Sequence, residues 1–324
     1  MKSFLLKLTV YLGVLAAFLA LVFAAYAKKF PPEKSFYMAS RDKHLRLETL
    51  PAPRLIFIGG SSMAFGMDSG LVGQRLGFNP VNMGLNAAVG LEFMLQEVEP
   101  FVRPGDVVLL APEYNTFEKF YHPDPEYVAR LIECRPSVLR ALTAGQLKDL
   151  LDYGYLHHLG RVIRTVGGQP EKILDGGAYL HTQRRSFNEN GDVVSHHNVA
   201  GPKLGANRFK FTASPVAFTA IDHLNRFQRA CQRRGARVFY SHPPYEQRSH
   251  ELNRATLAQV DGLLRARLKI PMIETVEDMV YPTEDFFDTE YHLNLTGKLK
   301  RSEKIAASLA QALGQIPVPP MKAP

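Results

Sequence analysis

Cysteine is nearly absent from this chain, with only Cys134 and Cys231 among 324 residues. That count excludes a disulfide-framed fold, and neither residue stands in a C-x-x-C or zinc-ligand spacing. One bridge between them and two separate buried thiols are both open readings. Nucleotide signatures are missing too. In RLIFIGGSSMAFGMDSG (54–70), Gly59, Gly60 and Gly66 do not make G-x-G-x-x-G, and no lysine completes a phosphate-binding loop. The elbow G-x-S-x-G also fails there, because Met63 takes the place of the last glycine. There is no internal repeat and no low-complexity segment. His157-His158 and His196-His197 have no acidic partner at ligand spacing, and adjacent side chains diverge on a helix or strand. They are read as exposed loop or face histidines, and no metal site is expected. The net charge is +8, but the basic residues are scattered, QRRGAR (232–237) being one short cluster. No nucleic-acid motif accompanies them, so no nucleic-acid partner is expected, and a polyanion or an anionic membrane surface is an equally good reading of the charge.

What the chain does have begins at its N-terminus. LTVYLGVLAAFLALVFAAYA (8–27) is uncharged, flanked by Lys2 and Lys7 before and Lys28 and Lys29 after, and long enough to cross a bilayer as a helix. It is a membrane anchor or, since AYA (25–27) fits a cleavage site, a signal peptide. The uncleaved anchor is the preferred reading, because the run is long for a cleaved signal. By count, Lys28, Lys29, Lys34, Arg41, Lys43 and Arg46 outnumber the two leading lysines and favour a cytoplasmic body. A very short basic leader before a single apolar run is nevertheless signal grammar. The expectation is a single-pass protein of a bacterial inner membrane with its body in the periplasm, or a cleaved periplasmic form.

A polar, proline-bearing linker (28–53) follows, and then short apolar runs alternate with amphipathic segments. That rhythm predicts an α/β layered domain with a largely parallel sheet over 54–316. Strands are expected at 54–59, 80–84, 106–112, 236–242 and 271–275, and helices at 91–102, 217–234, 250–268 and 298–313. Between about 118 and 213 the rhythm breaks. That stretch reads as a helical and hairpin insertion, with Asn190-Gly191 as the turn. The proline-rich end, 317–324, reads as a disordered tail. The aromatic-rich PEYNTFEKFYHPDPEY (112–127) is either a carbohydrate-stacking rim or core filling.

Chemistry is expected where the first core strand ends, because open α/β sheets place ligands at the carboxyl ends of their strands. A serine there is inert without a base. FFDTEYHLNLTGK (286–298) supplies His292 with Asp288 and Glu290 close enough for one carboxylate to fix its tautomer. His242, in YSHPPYEQRSH (240–250), is a structural histidine or a lining residue of the same site.

Taken together, these blocks resemble the SGNH (GDSL-like) hydrolase superfamily, especially its membrane-anchored or periplasmic members similar to the alginate-acetylation O-acetyltransferases. The resemblance covers 54–115 and 236–312. It implies a three-layer sandwich around a largely parallel sheet. Gly59-Gly60-Ser61 corresponds to the first block and makes Ser61 the nucleophile. VNMGLNAAVG (81–90) matches the second through Gly84, whose N–H joins that of Ser61 as an oxyanion donor. The third block, usually G-x-N-D, reads APEYNTF (111–117). Asn115 is its oxyanion donor after a one-residue slip, with Glu113 as the alternative functional residue. The last block, usually D-x-x-H, is one residue longer from Asp288 to His292, with Asp288 the orienting acid and Glu290 the alternative. The implied activity is a serine esterase or O-acetyltransferase acting on O-acyl groups of an envelope or exported polysaccharide. It needs no cofactor or metal. Its partners would be a carbohydrate polymer or acyl donor and a polysaccharide-modification complex. A catalytically silent scaffold of the same fold is the second expectation.

Overall fold

The computed structural model describes residues 2–29, 35–119, 121–168, 183–201 and 203–314. In chain order the first elements are α1 (Lys2–Lys29), α2 (Ala39–Thr49), β1 (Arg54–Ile58), α3 (Ser61–Gly66), α4 (Ser69–Leu76), β2 (Asn79–Asn82), α5 (Leu91–Val98) and β3 (Val107–Leu110). Then come α6 (Pro125–Cys134), α7 (Ala144–Asp149), α8 (Tyr155–Val166), α9 (Pro215–Arg233), β4 (Arg237–Tyr240), β5 (Tyr245–Glu246), α10 (Gln247–Arg267), β6 (Val280–Tyr281) and α11 (Leu295–Leu313).

β1 is an unbroken buried run, the pattern of a strand covered on both faces. It sits inside a four-stranded, wholly parallel sheet of order β2-β1-β3-β4, with Ile56 opposite both Val81 and Val108. Side chains alternate across it. Leu55, Phe57, Val107, Leu109 and Phe239 pack with Val72 of α4 and with Ile305 and Leu309 of α11. Ile56, Ile58, Val108, Leu110 and Val238 face the other way, against Phe93 of α5, Leu224 of α9 and Val260 of α10. Helices therefore cover both faces, and α3 opens just after the end of β1, past Gly59 and Gly60. The strand expected at 271–275 shrinks to one parallel bridge, Met272 beside Tyr240 at the sheet edge. β5 and β6 form a separate parallel pair that the sequence pattern did not announce.

α1 is long and apolar enough to cross a membrane or to serve as a signal sequence. The segment read as a linker is structured from Ser35 onward. A turn at Phe36–Met38 leads into α2, and Tyr37, Met38 and Leu47 are buried in the core. Lys43 of α2 is buried as well, donating to the carbonyls of Asn82 at 2.9 Å and Gly191 at 2.5 Å, with its ammonium 4.6 Å above the Phe187 ring. Polarity there marks a helix whose cation is used inside, so the globular unit begins before Arg54.

The insertion is helical in its first half. Asp124 caps α6 by accepting from the Glu126 N–H, and Thr143 and Gln146 cap α7 reciprocally. A wide turn at Leu150–Gly154 leads into α8. In its second half Asn188 and Asp192 close a tight turn, with the Asn188 N–H donating to the Asp192 carbonyl at 2.9 Å, and Phe187 pairs antiparallel with Val193. Gly191, at φ +94°, is the residue that can adopt this turn without strain. Tyr114, Phe117 and Tyr121 of the aromatic-rich stretch are buried, which makes them core rather than a rim. Cys134 and Cys231 are free buried thiols. The proposed tail, 317–324, lies outside the described residues.

Candidate active site

Ser61 is the first residue of α3, directly after the buried end of β1. Gly60 is its N-cap, at a position where a Cβ would lie 2.4 Å from a Glu113 carboxylate oxygen and 2.7 Å from the Ala87 nitrogen. Only a glycine lets the β1 exit pass this closely. Of the two adjacent hydroxyls, Ser61 is half-buried, whereas Ser62 is wholly buried with its Oγ unpaired among the described residues. The hydroxyl that reaches the surface is that of Ser61.

Asp288 and His292 come together as their spacing implied. Asp288 Oδ1 lies 2.7 Å from His292 Nδ1, which leaves Nε2 as the ring nitrogen not facing the acid. Glu290 is turned elsewhere and accepts from Asn207 Nδ2 at 2.7 Å. The imidazole stacks on Phe65, with ring centroids 4.2 Å apart and planes within 8°. Phe65 stands four residues after Ser61 on α3, on the same helix face, and helical side chains lean back toward the preceding turn. The ring of Phe65 thus sets His292 on the face of α3 that carries Ser61. Among the described residues no hydrogen bond joins Ser61 to His292.

The oxyanion donors expected from the resemblance fare unequally. The Gly84 N–H donates to Asn82 Oδ1 at 2.9 Å and is not presented to a cleft. Gly84 matters for space instead, because a Cβ there would lie 2.7 Å from the Met63 Cβ and 2.8 Å from the Ala64 nitrogen. Asn82 is in turn held by Asp192, which accepts from Asn82 Nδ2 and from Ser69 Oγ, both at 2.7 Å. Asn115, in the turn after β3, has a buried Oδ1 with no partner among the described residues; the group an oxyanion would need from it is the Nδ2 amine. Glu113, two residues earlier, is buried and accepts from the Gly60 N–H at 3.0 Å and the Ser62 N–H at 2.7 Å. Its carboxylate fixes the backbone on both sides of Ser61.

Several contributors have no motif. Arg301 of α11, wholly buried, donates to the carbonyls of Ser62 at 3.0 Å and Gly66 at 3.3 Å and clamps α3 from below. From the insertion, the Val193 N–H donates to the Ala64 carbonyl at 2.8 Å, and Val193 packs with Phe65 and Phe287. His196, expected to be exposed, is buried, with Nε2 2.9 Å from the Leu293 carbonyl and its ring 5.0 Å from Phe65. Burial and the Lys298 ammonium push its pKa down to about 3, so it is neutral beside the site. His197 is half-buried and His158 buried, where both were expected to be exposed, while His157 is exposed. His242 is structural: wholly buried, it lies 3.3 Å from the Tyr114 hydroxyl through Nδ1 and 3.3 Å from Asp261 through Nε2. The Asn190-Gly191 turn was the one sequence signal near these residues, and it did not say where the hairpin docks. Among the described residues no cluster of three or more His, Cys, Asp or Glu is placed to hold a metal ion.

Compared with protein-family models and with curated proteins, the chain finds no match in either search.

Proposed function

We propose that this chain is a membrane-anchored serine esterase or O-acyltransferase of the SGNH type. Its substrates would be O-acyl groups, O-acetyl foremost, on an envelope or exported polysaccharide. The observation that carries the reading is the Asp288–His292 hydrogen bond, stacked through Phe65 onto the helix that begins with Ser61. In this mechanism Ser61 Oγ attacks the ester carbonyl while His292 Nε2 takes its proton. The oxyanion is held by the Ser61 N–H and the Asn115 amide. Collapse of the intermediate breaks the bond to the sugar oxygen, which leaves with the proton from His292. The acyl group remains on Ser61. A water or a sugar hydroxyl then attacks the acyl carbon, giving its proton to His292; collapse breaks the acyl–Ser61 bond, Ser61 Oγ takes that proton back from His292, and the choice of acceptor separates esterase from transferase.

α1 is read as the retained anchor, with the body facing the periplasm of a bacterial inner membrane. Alkaline phosphatase fused to the C-terminus is expected to be active, and an inactive fusion at normal expression places the body in the cytoplasm.

A second reading, a silent scaffold that binds polysaccharide within an assembly complex, draws on one observation. The Gly84 N–H, expected as an oxyanion donor, is committed to Asn82. Incubating the full-length protein in detergent with a fluorophosphonate and mapping the adduct by mass spectrometry separates the two. The enzyme reading expects label on Ser61 and none in Ser61→Ala at unchanged melting temperature. A folded wild-type protein that stays unlabelled, or is labelled at another serine, overturns it.

A further inference from the structure

The last two turns of α1 differ from the rest of that helix. From Ser3 to Phe18 its side chains are exposed, but Leu19, Val22 and Phe23 are half-buried and Tyr26 is buried, the i, i+3, i+4, i+7 spacing of one helix face. α8 packs against α1 here. The Phe23 and His158 rings stack with centroids 6.4 Å apart, Arg161 Nη1 donates to the Tyr26 hydroxyl at 2.5 Å, and Glu133 of α6 holds the same guanidinium at 3.0 Å. At 1.5 Å of rise per residue, Leu19 lies roughly 12 Å before the end of the apolar run at Ala27. If α1 spans a bilayer, α8 stands at the depth of the headgroups and upper acyl chains.

α8 and the turn before it present large apolar side chains at this level. Leu151, Tyr153 and Leu156 are exposed by 70%, 68% and 67%, and Ile163, seven residues after Leu156 on the same helix face, by 49%. Exposed polar groups lie among them: Lys148, Asp149, Asp152, His157 and Arg164. Lys148 and Asp152 pair with each other at 2.6 Å, and Arg164 has a stem long enough to carry its guanidinium to the headgroups. Tyrosine is the residue favoured at the boundary itself.

We infer that Leu151, Tyr153, Leu156 and Ile163 are immersed in the lipid leaflet from which α1 emerges, so that the protein meets its membrane through α1 and α8 together. The inference rests on the reading of α1 as a retained anchor. Its occupant is lipid, because the face is continuous with a helix built to cross lipid. Two points of attachment would fix the tilt of the body and hold the Ser61 site at a set height above the bilayer.

The test uses the full-length chain in phosphatidylcholine nanodiscs, nitroxide-labelled at Leu151→Cys, Leu156→Cys or Ile163→Cys. Leu12→Cys in α1 is the lipid reference and Leu252→Cys on α10 the aqueous one; the native thiols are buried. Power-saturation EPR compares collision with oxygen, which partitions into lipid, and with a water-soluble nickel chelate. By the Phe23–His158 and Tyr26–Arg161 contacts, position 156 stands level with Leu21 of α1 and position 163 level with Lys28. The label at 156 is expected to show an oxygen-to-nickel ratio several-fold above that at 252 and approaching that at 12, and the label at 163 an intermediate ratio above that at 252. A ratio equal to that at 252, with 12 in lipid, overturns the inference while the anchor stands. Shielding from both reagents also overturns it, in favour of a protein partner or second copy. Intact mass tests the anchor separately: loss of residues up to Ala27 refutes it, and the inference with it.

Discussion

Replacing Asp288 by asparagine changes which nitrogen of His292 carries the proton. The carboxylate oxygen, 2.7 Å from Nδ1, accepts the Nδ1–H and leaves the Nε2 lone pair free to take the proton of Ser61. In Asp288→Asn an amide NH2 occupies that place and donates to Nδ1, which moves the ring proton to Nε2 and removes the base. A tautomer error of this kind costs about 10³- to 10⁴-fold in turnover, or about 4–5.5 kcal/mol of transition-state stabilisation. Glu290→Gln is the internal control, since that carboxylate faces Asn207 and not the imidazole; its effect is expected to stay within about twofold. Ser61→Ala and His292→Ala should be more damaging than Asp288→Asn, because each removes a reacting group outright. Hydrolysis of p-nitrophenyl acetate and the rate of fluorophosphonate labelling, each with a melting curve, give the ranking. A folded Asp288→Asn protein with wild-type rates refutes the tautomer argument. Greater harm from Glu290→Gln moves the orienting acid to the shorter spacing.

In Glu113→Gln an amide NH2 meets the N–H of Gly60 or Ser62, leaving a buried donor unpaired. A loss of about 2–4 kcal/mol is expected in urea denaturation, and no change means the carboxylate does not hold this elbow. Asp106→Ala strands the buried Arg54 guanidinium, whose Nη2 lies 2.5 Å from the carboxylate; about 3–5 kcal/mol should be lost, and less when Arg54→Met is added. A double variant as unstable as the single one refutes the stranded charge as the cause. Because the folded pKa of His196 lies near 3, below its ordinary 6.5, the unfolded chain takes up this proton first as pH falls. Its contribution is therefore full above pH 6.5 and declines toward pH 3, by about 1.4 kcal/mol per pH unit at most. His196→Gln should flatten that acid limb in denaturation measured between pH 4 and 7, and an unchanged slope removes His196 as its source.

Local pattern determined a good deal of this protein. The run RLIFI read as a buried strand, as it is, and its glycine-serine exit placed a hydroxyl at the end of a parallel sheet. The amphipathic periods of α9, α10 and α11 were legible to within three residues at each end, and the four-residue spacing of Asp288 and His292 left them within reach of each other. Such features depend on period, turn chemistry and short-range reach, all properties of neighbouring residues. Tertiary structure alone decided which acid His292 faces, because Asp288 and Glu290 are both close in sequence and only the fold turns Glu290 toward Asn207. It decided that Gly84 is needed for space while its N–H goes to the Asn82 side chain, a bond with no period to announce it. It also folded the 187–197 segment onto α3 and buried one face of the polar-looking α2, through contacts of Val193, His196 and Lys43 with partners from 39 to 148 residues away. Contacts at that range leave no mark on the local pattern, since the chemistry that makes them favourable belongs to the partner and to the loss of water between them.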